Sequence, residues 1–223
     1  MKTIALTQHQ IAIIEKYIDT NVNHIDMKLE ILDHMVSEIE NTIFNKHVSF
    51  ENAFKFSVLK WYKLFKKDTK LLYFGQYYSA PKIVLNKAVK IYKPYLITYI
   101  SLYILFFILF NNSKHLLINF ASVSFNLVVK MLLVLALLIF NYIQLKTYFS
   151  KIKTTYSFII KTHFISNVFL IIPLTMGDFI NSQHLLSVNH AVFAFLGLYI
   201  VAINVNFYLK HLNATKQFLK LSL

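Results

Sequence analysis

A chain of 223 residues with 57% hydrophobic and 15% charged content, and a mean hydropathy of +0.52, lies outside ordinary soluble usage and reads as a membrane protein. Its 23 basic residues are all lysine and stand against 10 acids, a net charge of +13; without arginine, bidentate base readout is poorly served, and nucleic acid is not expected as a partner. Absent cysteine excludes disulfides, thiolate zinc sites and cysteine nucleophiles, and the three glycines are too few and too scattered for a phosphate-cradling loop or a GxxxG helix pair.

The charge is uneven. Residues 1–51 hold eight acids against four lysines, a net of −4; residues 52–93 hold ten lysines against Asp68, a net of +9; residues 94–223 hold nine lysines against Asp178, a net of +8. Met1 to Leu6 is too short for the apolar core of a signal peptide, so the amino end is expected in the cytoplasm. Thr7 to Gln10 has capping-box spacing, and Ile11, Ile14 and Ile18 follow at helical intervals, predicting a helix over about 8–20. From Ile25, the positions Leu29, Leu32, Val36, Ile39 and Ile43 step by four and three, predicting a second helix of about 20 residues with that stripe buried. Ser49 is placed to cap a third helix, with Glu51 in its first turn and Phe50, Phe54, Val58, Trp61 and Phe65 on its inner face. The expectation is a small three-helix bundle over residues 1–68.

Residues 69–93 read as a connector, 71–81, followed by a basic amphipathic helix opened by Pro81. On a helical wheel Lys82, Lys87, Lys90 and Lys93 share an arc of about 140° opposite Val84, Leu85, Ala88 and Val89, the pattern of a helix lying in the headgroup plane. Each such lysine near anionic lipid contributes on the order of 1 kcal/mol, so anionic headgroups are the expected partner of these four side chains.

Residues 94–223 read as a transmembrane domain with spans at about 94–112, 124–145, 156–176 and 188–209. Tyr95, Tyr142, Tyr156 and Tyr208 fall near their ends. Lysines before the first span, between the second and third, and after the fourth outnumber Lys114 on the other side. The positive-inside rule then predicts a multi-pass protein with both termini cytoplasmic. The expected fold class is all-α: a cytoplasmic three-helix bundle, an interfacial helix and a four-helix transmembrane bundle.

The run Leu29-Glu30-Ile31-Leu32-Asp33-His34-Met35-Val36-Ser37-Glu38-Ile39-Glu40, followed by Val48-Ser49-Phe50-Glu51-Asn52-Ala53-Phe54, resembles the small helical cytoplasmic domain called HAAS or permease prefix. The resemblance covers about residues 1–68, roughly a third of the chain. The chain departs from the family pattern after helix three, where Lys66, Lys67 and Asp68 stand in place of a glycine-containing turn. The resemblance implies a domain that precedes several transmembrane helices in the cytoplasmic membrane of bacteria, in proteins associated with signalling or permeases. It brings no catalytic residue.

Three groups of residues are candidate sites. Glu30, Asp33, His34 and Glu38 share one side of the second helix; their plainer reading is a solvated polar face able to dock a protein partner, and their sharper one a divalent-metal site. Lys130 stands about six residues inside its span, either snorkelling to the interface or paired with Asp178. Asp178, His184 and His190 complete an outer-face polar cluster in which an enzyme would have to find its acid and base. Asn141, Asn167, Asn204 and Asn206 are expected to bond between helices. No catalytic, cofactor or metal-binding residue is assigned. The expected function is a non-enzymatic membrane protein with a cytoplasmic docking domain, possible as a homo-oligomer and regulatory, sensory or assembling in role; the alternatives are an oligomeric transporter subunit and a membrane-embedded enzyme.

Overall fold

The structure is a computed structural model that describes residues 5–74, 77–112, 122–175, 177–180 and 187–221. It is all-α apart from one two-stranded ribbon. The elements are α1 (Gln8–Asn21), α2 (Ile25–Lys46), α3 (Phe50–Phe65), β1 (Lys67–Thr69), α4 (Leu71–Phe74), β2 (Ser79–Pro81), α5 (Lys82–Asn112), α6 (Ser122–Tyr148), α7 (Thr155–Thr162), a 3-10 turn (Phe164–Asn167), α8 (Val168–Thr175) and α9 (Val188–Leu221). The chain divides into two compact units. The first gathers Met1–Lys90, Lys151–Phe158 and His211–Leu223; the second gathers Ile91–Ser150 and Ile159–Lys210.

In the first unit the local signals act as read. Thr7 and Gln10 form a reciprocal capping box, the Gln10 N–H donating to Thr7 Oγ1 at 3.3 Å and the Thr7 N–H to Gln10 Oε1 at 2.9 Å. Ser49 Oγ accepts from the Asn52 N–H at 3.4 Å at the start of α3. α2 ends where His47 adopts the left-handed conformation, φ 50°, and closes the last turn onto Ile43 O. α1 and α3 both pack on α2 around Ile14, Ile18, Met27, Ile31, Met35, Ile39 and Trp61.

The buried face of α2 corrects the predicted stripe. Met27, Ile31, Met35 and Ile39 are buried, while Leu29 is 54% exposed and Leu32, Val36 and Ile43 are half-buried. At 100° per residue this rotates the inner face by about 80° from the predicted one. The reason is that α2 has neighbours on two sides, and the flexible Met27 and Met35 fill the space between them, which a single-stripe reading ignores.

The connector is also more ordered than expected. β1 pairs antiparallel with β2, Asp68 facing Ala80, and the Lys82 N–H donates to Lys66 O at 3.0 Å. Phe74 of α4 is buried edge-on against Phe158, with centroids 5.2 Å apart. Lys82–Lys93 is not a separate interfacial helix: it forms the opening turns of the 31-residue α5, which runs through Pro94. Its apolar side meets protein, since Val84, Leu85 and Ala88 are fully buried in the first unit.

The second unit is built from long apolar helices. α5, α6 and α9 are each long and apolar enough to cross a membrane, and the apolar window of α5 has none of its residues buried by protein. α5 and α6 carry contiguous exposed side chains such as Ile97, Ile104, Phe107, Leu127, Met131 and Leu138. An unbroken apolar surface of that extent is what lipid, not water, accommodates. The predicted third span is broken: α7 and the 3-10 turn with α8 pass the same test only together, bent by 50°. The core of this unit is Leu133, Ala136, Phe140, Leu170, Phe179, Ala194 and Val201.

Candidate functional site

The predicted docking side of α2 is partly consumed by structure. Glu30 accepts from Lys87 Nζ at 2.7 Å, and the same ammonium reaches Asp26 O at 3.2 Å. Lys87 is therefore an internal tie to α2 and not a free headgroup contact, whereas Lys82, Lys90 and Lys93 are exposed. Glu38 receives Lys60 Nζ at 2.7 Å on one oxygen and Trp61 Nε1 at 2.9 Å on the other. Asp33 and His34 are exposed. With both glutamates turned to lysines, and with no group of three or more His, Asp or Glu side chains able to hold a metal ion among the described residues, the metal reading of this face does not form.

His34, Glu38, Asn41, Asn45, Lys60 and Trp61 instead line an open groove of about 480 Å³ between α2 and α3. The Trp61 indole donates to Glu38 from a nearly buried position, so the carboxylate is held in place by a rigid ring as well as by a flexible lysine. The groove thus places polar groups beside the Trp61 indole.

The other end of α2 is tied to the segment between the second and third predicted spans. The Ile25 N–H donates to Lys153 O at 2.9 Å, and the Thr155 N–H donates to Asp26 Oδ1 at 2.9 Å, so Asp26 satisfies an orphan donor in the first turn of α7. Thr154 and Ser157 cap the same turn reciprocally at 2.9 and 3.0 Å, and Thr154 Oγ1 meets His211 Nδ1 at 2.9 Å.

In the second unit, Lys130 Nζ lies 2.8 Å from Asp178 Oδ1, so the two side chains are paired. Both side chains remain partly exposed, 33% and 61%, which makes the pair a weak one. His190 packs edge-on to Phe179, and His184 lies outside the described residues. Asn126 brackets Ile180, donating to its carbonyl and accepting from its N–H, both at 2.9 Å.

One site was not singled out from the sequence. Where the third span breaks, His163 is buried, and its Nδ1 lies 3.2 Å from Asn204 Oδ1. The Tyr92 ring sits 4.8 Å from the imidazole, and Tyr92, Tyr95, Tyr99, His163 and Ser166 contribute to the lining of a cavity of about 120 Å³. Asn206 donates to the Tyr95 hydroxyl at 3.1 Å. Asn204 and Asn206 thus bond between helices as expected, while Asn141 and Asn167 bond within their own elements.

No family model, curated protein or solved structure matches this chain.

A signal for the missed site was present. Tyr92, Tyr95 and Tyr99 step by three and four on α5, and His163 is a lone imidazole in a span otherwise nearly free of ionisable groups. Only the bend at His163 brings the two together.

Proposed function

We propose that this chain is a non-enzymatic, multi-pass protein of the bacterial cytoplasmic membrane whose N-terminal helices dock a protein partner. Its role is regulatory, sensory or complex-assembling. Helices α5, α6 and α9 are three of its spans, and α7 with α8 is a broken fourth, giving cytoplasmic N- and C-termini. In this reading residues 5–65 form a three-helix domain of the permease-prefix kind, and Lys82, Lys90 and Lys93 face anionic headgroups.

The observation that carries the reading is the double role of α2. One end lines the groove at His34 and Glu38, and the other is tied through Asp26 and Ile25 to Lys153 and Thr155. A partner held at the groove therefore acts on a rigid 22-residue helix bonded to the start of α7. The lysine distribution supports the same topology. The three segments gathered in the first unit are those the positive-inside count assigns to one side.

A photo-crosslinking residue at Asn41 or Lys60, in native membranes, should trap one defined protein adduct. Glu38→Lys should weaken it about tenfold by reversing a charge at the contact, and the same probe at the exposed Lys16 should not form it. Equal adducts from Lys16, or none from the groove, would overturn the docking reading.

The bend at His163 favours a second reading, a transporter subunit, because broken spans with polar groups at the break form solute sites in carriers. Solute-specific flux in proteoliposomes containing only this chain would decide for it. The enzyme reading gains no support: Asp178 is engaged by Lys130 and His190 rests on Phe179.

A further inference from the structure

The outward side of α3 carries a pattern that its packing does not use. Phe56, Leu59 and Tyr62 step by three along the helix with Lys55 and Lys63 between them, and at 100° per residue all five fall within an arc of about 120° centred on Leu59. The buried side chains Ala53, Ser57, Trp61 and Phe65 take the opposite arc. Phe56, Leu59 and Tyr62 are each more than half exposed, and Lys55, Lys63 and the C-cap Lys66 are exposed beside them. These three lysines form no ion pair among the described residues. Lys46 of α2 adds a further cation, its Nζ 5.2 Å from the Phe56 ring centroid. Single apolar side chains on a surface need nothing to cover them, but a contiguous row framed by unpaired cations is a surface with a partner.

Charge and position decide what that partner is. The one acid on α3 is Glu51, in its first turn and about 80° round the helix from Leu59, so the row of lysines complements an anion along most of its length. Protein interfaces deplete lysine at their centres and favour arginine, which this chain lacks. An anionic bilayer surface suits both kinds of side chain: lysine stems lie along apolar groups while their ammonium heads reach phosphates, and Phe, Leu and Tyr enter the headgroup and acyl boundary. Such a surface is also close by. The Lys82 N–H donates to Lys66 O at 3.0 Å, joining the end of α3 to the first residue of α5, a helix long and apolar enough to cross a membrane.

We propose that the outward face of α3 rests on the anionic surface of the bilayer that α5 crosses, with Phe56, Leu59 and Tyr62 in the headgroup region and Lys55, Lys63 and Lys66 on lipid phosphates. The inference rests on the multi-pass reading and is independent of partner docking, because the groove at His34 and Glu38 uses a different side of α3, at Lys60 and Trp61.

The chain has no cysteine, so a single introduced cysteine can carry an environment-sensitive nitrobenzoxadiazole label. The full-length protein is placed in nanodiscs of phosphatidylcholine alone or with about 30% phosphatidylglycerol. With the label at Leu59→Cys, phosphatidylglycerol should shift emission to the blue and reduce quenching by aqueous iodide at least about fivefold, and high salt should reverse both. The label at Lys16→Cys, on the exposed side of α1, should stay in water throughout. Lys55→Gln combined with Lys63→Gln should lower the shielded-to-exposed ratio of the Leu59→Cys label at least about tenfold, since each lysine near anionic lipid is worth about fivefold. A label at Tyr103→Cys of α5 separates this inference from the reading beneath it. Hydrocarbon-like emission there, with the Leu59→Cys label in water, would overturn the α3 contact alone; water-like emission there would overturn the spans and the contact together. Shielding at Leu59→Cys that is equal in the two lipids, survives the double lysine change or grows with the number of copies per disc would overturn the bilayer contact in favour of a covering protein.

Discussion

Asp26 caps a helix that begins 129 residues further along the chain. Its Oδ1 takes the Thr155 N–H, and its backbone oxygen takes Lys87. Asp26→Ala should cost about 1 kcal/mol, as loss of a capping acceptor does, and Asp26→Asn should retain most of it, because the amide oxygen still accepts. Thermal unfolding in detergent checks both. Asn126 is a stronger case. Asn126→Ala leaves both the N–H and the carbonyl of Ile180 without their partner in a buried setting and should cost about 1–3 kcal/mol, read as a lowered denaturation midpoint. The Lys130–Asp178 pair is partly exposed, so a double-mutant cycle with Lys130→Met and Asp178→Asn should give a coupling above zero but under about 1 kcal/mol, shrinking with salt. Glu51, at the start of α3, is held below the ordinary glutamate range by its own backbone N–H and then by the Ser49 hydroxyl. A lowered folded-state value means its contribution is present above the unfolded value and is lost as pH falls through the folded one. Its NMR titration should move upward in Ser49→Ala.

Among the elements, α9 shows how a close approach constrains sequence. A Cβ at Gly197 would stand 2.8 Å from both the Phe169 carbonyl oxygen and Leu170 Cδ2. Alanine gains about 1 kcal/mol of helix propensity over glycine, but here it meets backbone that cannot step aside, and overpacking costs about 1–3 kcal/mol. Gly197→Ala should therefore destabilise the protein or shift α8, measurable as a lower unfolding temperature. Element type and extent were legible from caps and periodicity: Thr7, Gln10 and Ser49 start helices where their side chains can accept an N–H, and α2 spans the region its apolar steps predicted. Which face of α2 is buried was not legible, because Met27 and Ile31 belong to the core only once α1 and α3 are both in place. Nor was the connector, since the β1–β2 pairing joins Lys67–Thr69 to Ser79–Pro81 by backbone bonds that leave little trace in side-chain type.

At the scale of the molecule, the first unit is assembled from three stretches of chain that are remote in sequence. His211 meets Thr154 there, so truncation after Lys210 should leave Thr154 without that partner and make the N-terminal helices more open to protease in intact membranes. Unchanged cleavage rates would count against the C-terminal segment as a structural part of the unit. Helical class, apolar segments and charge zoning were readable along the chain, because hydropathy, capping and lysine distribution are local quantities that accumulate residue by residue. The pairing of Glu30 with Lys87, the capping of α7 by Asp26, and the contact of His163 with Asn204 beside a cavity that Tyr99 also lines appear only in the folded chain. Each depends on the distance between residues far apart in sequence and on which buried atom is left without a partner, and neither quantity exists until the chain has closed on itself.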